Sequence, residues 1–278
     1  MKATEFTTAP AETGRTLQDV VGRRLHISRN KAKALIDSRN VLINDRRVWM
    51  ARHILRPGDR VHVPQPVGLE TVSLSAIRIL YQDADYLVAD KPAGLLSNGP
   101  DSVESRLQRQ CGLKCLKAAH RLDKDTTGCL ILAKHTEAET LMIQRFADRA
   151  ITKVYHAVVL GRFDREASTV TQPLDGQDAC TRIVRLDVNV AASYLQITLD
   201  TGRTHQIRRH LSALGYPVIG DRQYATRRTL EAKETALNRH MLHAIRISLD
   251  HPMAHSPLAC EAPLPDDFQS CLKRYRLT

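Results

Sequence analysis

Residues 119–134 run Ala119-His120-Arg121-Leu122-Asp123-Lys124-Asp125-Thr126-Thr127-Gly128 and then Cys129-Leu130-Ile131-Leu132-Ala133-Lys134. The second half is apolar and suits a buried strand, whereas the first half places His, Arg and two Asp in a polar loop that ends in a permissive glycine. A rigid strand fixes the backbone of such a loop while its side chains stay reachable, which is how reactive carboxylates are commonly held. The same residue types also make an ordinary charged turn entering a strand, and spacing alone does not separate the two. Two further polar strings could join this chemistry. One is Lys153-Val154-Tyr155, and the other is Arg203-Thr204-His205-Gln206-Ile207-Arg208.

The elements that would position these strings can be read from periodicity. Residues 151–160 alternate, so Thr152, Val154, His156, Val158 and Leu160 share one strand face and Lys153 and Tyr155 share the other. A helix follows Asp200-Thr201-Gly202. Its buried face is Ile207, Leu211 and Leu214, and Gly215 is its stop. Arg203 and Arg208 lie at the start of that helix, where the positive end of the dipole disfavours cations, so a carboxylate or phosphate partner is expected beside them. Strands are predicted at 77–81 and 86–90 around the turn Asp83-Ala84-Asp85, and another begins at Met241-Leu242-His243-Ala244. Thr136 with Glu139 reads as a capping box for a helix through Leu141, Met142 and Phe146, and 265–275 reads as a closing helix. Many antiparallel-style strands with few helices argue α+β rather than a parallel doubly wound sheet.

The amino-terminal part has a different character. Residues 1–13 are small and polar and are expected to form a disordered tail. Leu17, Val20, Val21 and Leu25 recur at helical spacing, and Ser28 can cap a second helix that carries Ala32, Leu35 and Ile36. Val41-Leu42-Ile43 opens a strand, and Asn44-Asp45 and Pro57-Gly58-Asp59 mark turns. Residues 14–63 hold twelve basic residues against four acidic ones, an excess of eight, whereas the whole 278-residue chain has a net charge of +11. Concentrated positive charge spread over several elements points to nucleic acid, with Arg24, Arg29, Lys31 and Lys33 as candidate contacts. Residues 64–75, with Pro64, Pro66 and Gly68, read as a linker to a second domain at 76–278.

Six cysteines without a paired CxxC spacing give no zinc site and fit a reducing cytoplasm. No apolar run reaches the roughly 18 residues of a membrane span, so no membrane partner is expected. No Walker loop, GxGxxG, HExxH or CxxC pair is present, which disfavours nucleotide-driven, dinucleotide and zinc chemistry.

The strings, taken together, resemble the RluA-type pseudouridine synthases. The family's central HRLD, two variable residues, then TSG stands here as His120 to Asp123 and Thr126-Thr127-Gly128, with Thr127 in place of the commoner Ser. Lys153-Val154-Tyr155 matches K-x-Y, Arg203 to Arg208 matches GRTHQ(I/L)R, and residues 215–224 follow G-x-P-I-x-GD-x-x-Y. Residues 91–94 match the KPAG loop, and the basic helix leading to Val41-Leu42-Ile43-Asn44 resembles the S4 RNA-binding module. The resemblance implies a small S4-like α/β module followed by a mainly antiparallel catalytic domain that isomerises uridine to pseudouridine with no cofactor and no metal. It implies Asp123 as the catalytic carboxylate, Tyr155 stacking on a flipped base and Arg121 filling the vacated space. Arg208 is the expected cation for Asp123, because a carboxylate buried beside substrate drifts towards its neutral form unless a cation holds the charged one. His120, Lys153, Arg203 and Gln206 are expected at the RNA. Large-subunit ribosomal RNA is the favoured substrate, with transfer RNA as the alternative, and the protein is expected to be a cytoplasmic monomer. Two carboxylates in one loop would also suit a glycosidase or a metal-dependent nuclease. A non-catalytic RNA-binding assembly factor is the rival from another class, against which an acidic group facing a polyanion counts.

Overall fold

The computed structural model describes residues 4–37, 41–48, 50–63, 76–224, 237 and 239–278. The chain divides into two units, Met1–Ser75 and Ala76–Thr278. The segment 64–75, expected as a linker, lies outside the described residues.

In the first unit, α1 (Leu17–Arg24) and α2 (Arg29–Asp37) turn Leu17, Val20, Val21, Ala32 and Ile36 into one buried face. Against it lies a four-stranded sheet of β1 (Thr4–Thr7), β2 (Leu42–Ile43), β3 (Arg46–Arg47) and β4 (Arg60–Val63) in the order β1-β4-β2-β3. Its core-facing Ile43, Val61 and Val63 are buried. Asn44 and Asp45 take the left-handed φ values of 50° and 64° that a tight hairpin turn requires. Residues 4–13 are not the disordered tail that the composition of 1–13 suggests. Thr4 to Thr7 pair with Arg60 to Val63, Phe6 packs on the core, and Thr8 Oγ1 donates to the Asp59 carbonyl at 3.1 Å. The open edge of β4 offers backbone partners, and a short polar strand gains order there that it could not generate alone.

The second unit is built on one large sheet with strands β5 (Ile79–Gln82), β6 (Tyr86–Lys91), β7 (Lys117–Ala118), β8 (Thr127–Ala133), β9 (Ile151–Leu160), β10 (Ala167–Val170), β11 (Thr181–Val188), β12 (Ala192–Leu199), β13 (Leu242–Asp250) and β14 (Pro257–Glu261). The order is β10-β11-β12-β9-β13-β8-β6-β5, with β14 on β13 and β7 on β8. The pairing is antiparallel except between β13 and β8, where His243 meets Thr127 and Ala244 meets Gly128. The α+β expectation holds. Its helices among the described residues are α3 (Val103–Gln110), α4 (Thr136–Ala147), α5 (Gln206–Ala213) and α6 (Asp266–Tyr275). Val88, Ile131, Met142, Ile151, Ile247 and Leu258 form a core between sheet and α4.

The parallel junction decides where a site can form. β13 runs beside β8 for two residue pairs and then pairs with β14, and its register against β9 shifts between His243 and Arg246. At the junction Gly128 has φ +107°, and a Cβ there would lie 2.2 Å from the Ala244 carbonyl oxygen. Only glycine permits this close approach. The loop 119–126 therefore enters the sheet where β8 and β13 are pressed together. None of the described helices is long and apolar enough to cross a membrane.

Candidate active site

Asp123 stands in the middle of the loop between β7 and β8, and this loop is held through its backbone. Lys91, fully buried at the end of β6, donates its ammonium to the carbonyls of Pro92, Lys124 and Thr126 at 3.1, 2.8 and 2.9 Å. Burial pulls this lysine down to about 7, opposed by the charges of Asp125 and Asp123. On the other side the buried Arg239 donates Nη1 towards the Asp125 carbonyl at 3.4 Å and the His240 carbonyl at 3.0 Å, while its remaining donors grip Asp267 of α6 at 2.6 and 2.8 Å. Thr126 and Thr127 bond to ring nitrogens of His240 and His243, each at 2.8 Å. Burial pushes both histidines down to about 4, so they are neutral partners. Backbone acceptors and side-chain hydroxyls of the loop are thus tied to groups from β6, from β13 and from Arg239 and His240 just before β13, which fixes the position of Asp123.

The carboxylate meets its cation at the start of α5. Arg208 donates Nη1 to Asp123 Oδ2 at 2.9 Å, and directs Nε and Nη2 to the two oxygens of Asp221 at 2.6 and 3.0 Å. The anion expected beside Arg208 is therefore a pair of carboxylates. Burial alone would raise the Asp221 carboxyl, but the Arg208 bonds and the N–H groups of Tyr224 and Gln223 hold it below the ordinary range. Asp123 Oδ1 faces His205, whose Nε2 lies 3.7 Å away. His205 precedes α5 with a left-handed φ of 54° and bonds through Nδ1 to the Tyr224 hydroxyl at 2.8 Å.

These groups surround a cleft of about 80 Å³ whose lining includes Arg121, Asp123, Thr126, Tyr155, Arg203, His205 and Arg208. Tyr155 projects from β9 and is buried, and burial together with the Asp123 charge pushes its phenol upward, so it is a neutral ring and donor. Arg121 is exposed at the rim. The arrangement offers one carboxylate with a held and an open oxygen, an aromatic face, an imidazole and peripheral cations.

Other residues expected at the RNA are placed differently. His120 does not line the cleft: its Nε2 accepts the Ile131 N–H at 3.1 Å, its ring lies 4.8 Å from that of Phe146, and burial pulls it down to about 3. Gln206 reaches the lining, but its amide is fully engaged, accepting from Thr201 Oγ1 and the Arg203 N–H and donating to the Cys180 carbonyl and Thr181 Oγ1. It has no donor or acceptor left for RNA. Lys153 lies outside the lining, 5.9 Å over the Phe146 ring. Arg203 borders the cleft and donates Nε to the Asp178 carbonyl at 3.0 Å. In the first unit, Arg24 is held bidentately by Glu12 at 2.8 and 2.9 Å, and Arg29 pairs with Asp19 at 3.2 Å. Arg29 and Lys33 line a concavity with Gln18, Arg52 and Ile54, while the Lys31 side chain lies outside the described residues.

Sequence reasoning assigned no role to Lys91, His205, Asp221, Tyr224, Arg239 or His240. The strings containing Lys91, His205, Asp221 and Tyr224 were legible as motifs, but which members face the carboxylate depends on contacts between distant segments. Arg239 and His240 carried no local signal.

A family model described as RNA pseudouridylate synthase matches residues 85–213. The ribosomal large subunit pseudouridine synthase D of Xanthomonas campestris is 32% identical, over 90% of this chain and 85% of that protein. The ribosomal large subunit pseudouridine synthase C of Vibrio cholerae is 29% identical, over 93% of this chain and 95% of its own. Among solved structures, the human RNA pseudouridylate synthase domain containing 4 superposes with a TM-score of 0.62 at 26% identity, covering 72% of this chain and 93% of that one.

Proposed function

The chain belongs to the RNA pseudouridylate synthase family and is an isomerase of RNA uridines, and from that premise we propose that it modifies large-subunit ribosomal RNA with Asp123 as its reacting carboxylate. The observation that carries the proposal is the Asp123–Arg208 pair at 2.9 Å within a cleft, with the second carboxylate oxygen unbonded to Arg208. Breaking the bond from uracil N1 to ribose needs a carboxylate that attacks a carbon or takes a proton, and Asp123, paired with the Arg208 cation, supplies that group. Arg208 is itself aligned by Asp221, so its guanidinium is set before substrate arrives.

The target uridine has to leave its stack, at a cost of about a few kcal/mol. Tyr155 offers the ring against which the extruded base stacks, and Arg121 at the rim is placed to fill the space left behind. Arg203 adds positive charge beside the same cleft. The first unit is assigned as an S4-like RNA-binding module. Its support is the charge excess of residues 14–63 and the concavity lined by Arg29, Lys33 and Arg52. Two relatives named for the large ribosomal subunit favour that RNA over transfer RNA.

Pseudouridine mapping of all cellular RNA tests the assignment, comparing a strain lacking the gene with the same strain carrying wild type or Asp123→Ala. The expected result is a small set of large-subunit positions that disappear without the gene and return only with wild type. Loss confined to transfer RNA would overturn the choice of substrate. Unchanged maps with a ribosome assembly defect would favour a binding role.

A further inference from the structure

Whatever route Asp123 takes, C5 of uracil must at one stage carry both its original hydrogen and the new bond to ribose C1′, and that hydrogen must leave as a proton. We propose that His205 is the base that removes it, through Nε2. The proposal rests on the pseudouridine synthase reading above and adds a catalytic residue to it.

Geometry comes first. His205 lines the cleft, and its Nε2 stands 3.7 Å from Asp123 Oδ1, the oxygen that Arg208 does not hold. That separation is too long for a hydrogen bond, so Nε2 is not tied up by the carboxylate, and both groups border the same cleft. The ring is oriented from behind. Its Nδ1 meets the Tyr224 hydroxyl at 2.8 Å, and the two rings meet edge to face at 5.6 Å. Tyr224 also receives the Gln223 side-chain N–H at 3.3 Å and sits under the Arg208 guanidinium at 5.0 Å. The base role requires the tautomer in which Nδ1–H is donated to Tyr224, which leaves the lone pair at Nε2 on the cleft side.

Elimination among the lining groups gives the same answer. Arg121, Arg203 and Arg208 have no lone pair to offer. Asp123 acts at the N1–ribose bond in the function proposed above, which leaves the C5 proton to another group. The Tyr155 phenol, pushed upward by burial and by Asp123, holds its proton. The Thr126 hydroxyl is taken by His240, and the Gln206 amide is saturated. The step balances without any further reagent. The C5–H bond breaks and its electron pair forms C5=C6. The C6=N1 pair moves onto N1, which takes a proton from water, and the imidazolium returns its proton to water.

The test uses the full-length protein and a transcript of large-subunit ribosomal RNA carrying hydrogen or deuterium at uracil C5. Wild type is compared with His205→Asn and His205→Gly, both of which tolerate the left-handed backbone at this position. Expected are a fall in pseudouridine formation on the order of a hundredfold or more, unchanged RNA affinity, and a larger C5 isotope effect. Free imidazole should restore rate to His205→Gly, which a purely structural role would not allow. An active wild type whose variants stay within about threefold of it overturns the role of His205 alone. So does a slowed variant with no change in isotope effect and no rescue. A wild type that forms no pseudouridine on this transcript or on total RNA overturns the functional reading and this proposal with it.

Discussion

Replacing Asp221 by Asn keeps the side-chain volume but removes the charge that faces Arg208 inside the protein. The Asp221 side chain is 1% exposed and that of Arg208 7%, so among the described residues the arginine would be left with the Asp123 carboxylate. Breaking one side of a buried pair costs about 3 kcal/mol, and urea unfolding of Asp221→Asn should show a loss of that order with reduced activity. The sign with pH follows from the lowered folded value of Asp221. Its contribution is present above the ordinary carboxylate value of about 3.9 and is lost as pH falls through the lower folded value. At this scale the residue types of the cleft were legible. Asp123, Tyr155 and Arg208, which lie 32 or more positions apart in sequence, line one cleft. What was not legible is the direction of each side chain. His120 and Gln206 sit in the same motifs as Asp123 and Arg208, yet His120 turns Nε2 to the Ile131 N–H and Gln206 spends its amide on neighbouring backbone and side chains.

The elements that hold the loop fail in characteristic ways. Gly128→Ala would force the Ala244 carbonyl away from a Cβ 2.2 Å off, parting β8 from β13. A loss of about 3 kcal/mol or more, together with activity, is expected in denaturant unfolding and turnover assays. Buried histidines add a pH dependence of their own. His240 and His243 are pulled down to about 4 in the fold, whereas an unfolded histidine protonates near about 6.5, so the unfolded state binds more protons between these values. Stability is full above that window and should fall as pH drops through it, by up to about 1.4 kcal/mol per pH unit and histidine. Urea midpoints measured from pH 7 down to 5 check this before the carboxylates titrate; a flat profile would mean that the histidines are not held neutral. Among the elements, β9 spans Ile151–Leu160 as its alternation predicts. The Thr136 capping box is not what starts α4: His135 occupies the cap and its Nδ1 accepts the Ala138 N–H at 3.3 Å. The β8–β13 pairing joins residues 116 positions apart and leaves no periodic trace in either strand.

At the scale of the molecule, charge and chemistry are divided between the two units. The charge excess of residues 14–63 was legible because it needs only counting, whereas β1 was not, since its order comes from the edge of β4 rather than from its own composition. Replacing Arg29, Lys33 and Arg52 together by Ala should weaken RNA binding across all sequences and lower the slope of log affinity against log salt by up to about 3. Salt-dependent filter binding reads this directly, and an unchanged slope would place the RNA elsewhere. The account as a whole stands on the carboxylate at position 123. Tritium release from RNA labelled at uracil C5 tests it most directly, with wild type and Asp123→Asn assayed on RNA from cells lacking the gene. Release by wild type and none by the variant, with equal RNA affinity, is the predicted result. Release by both proteins at similar rates would contradict the assignment of Asp123.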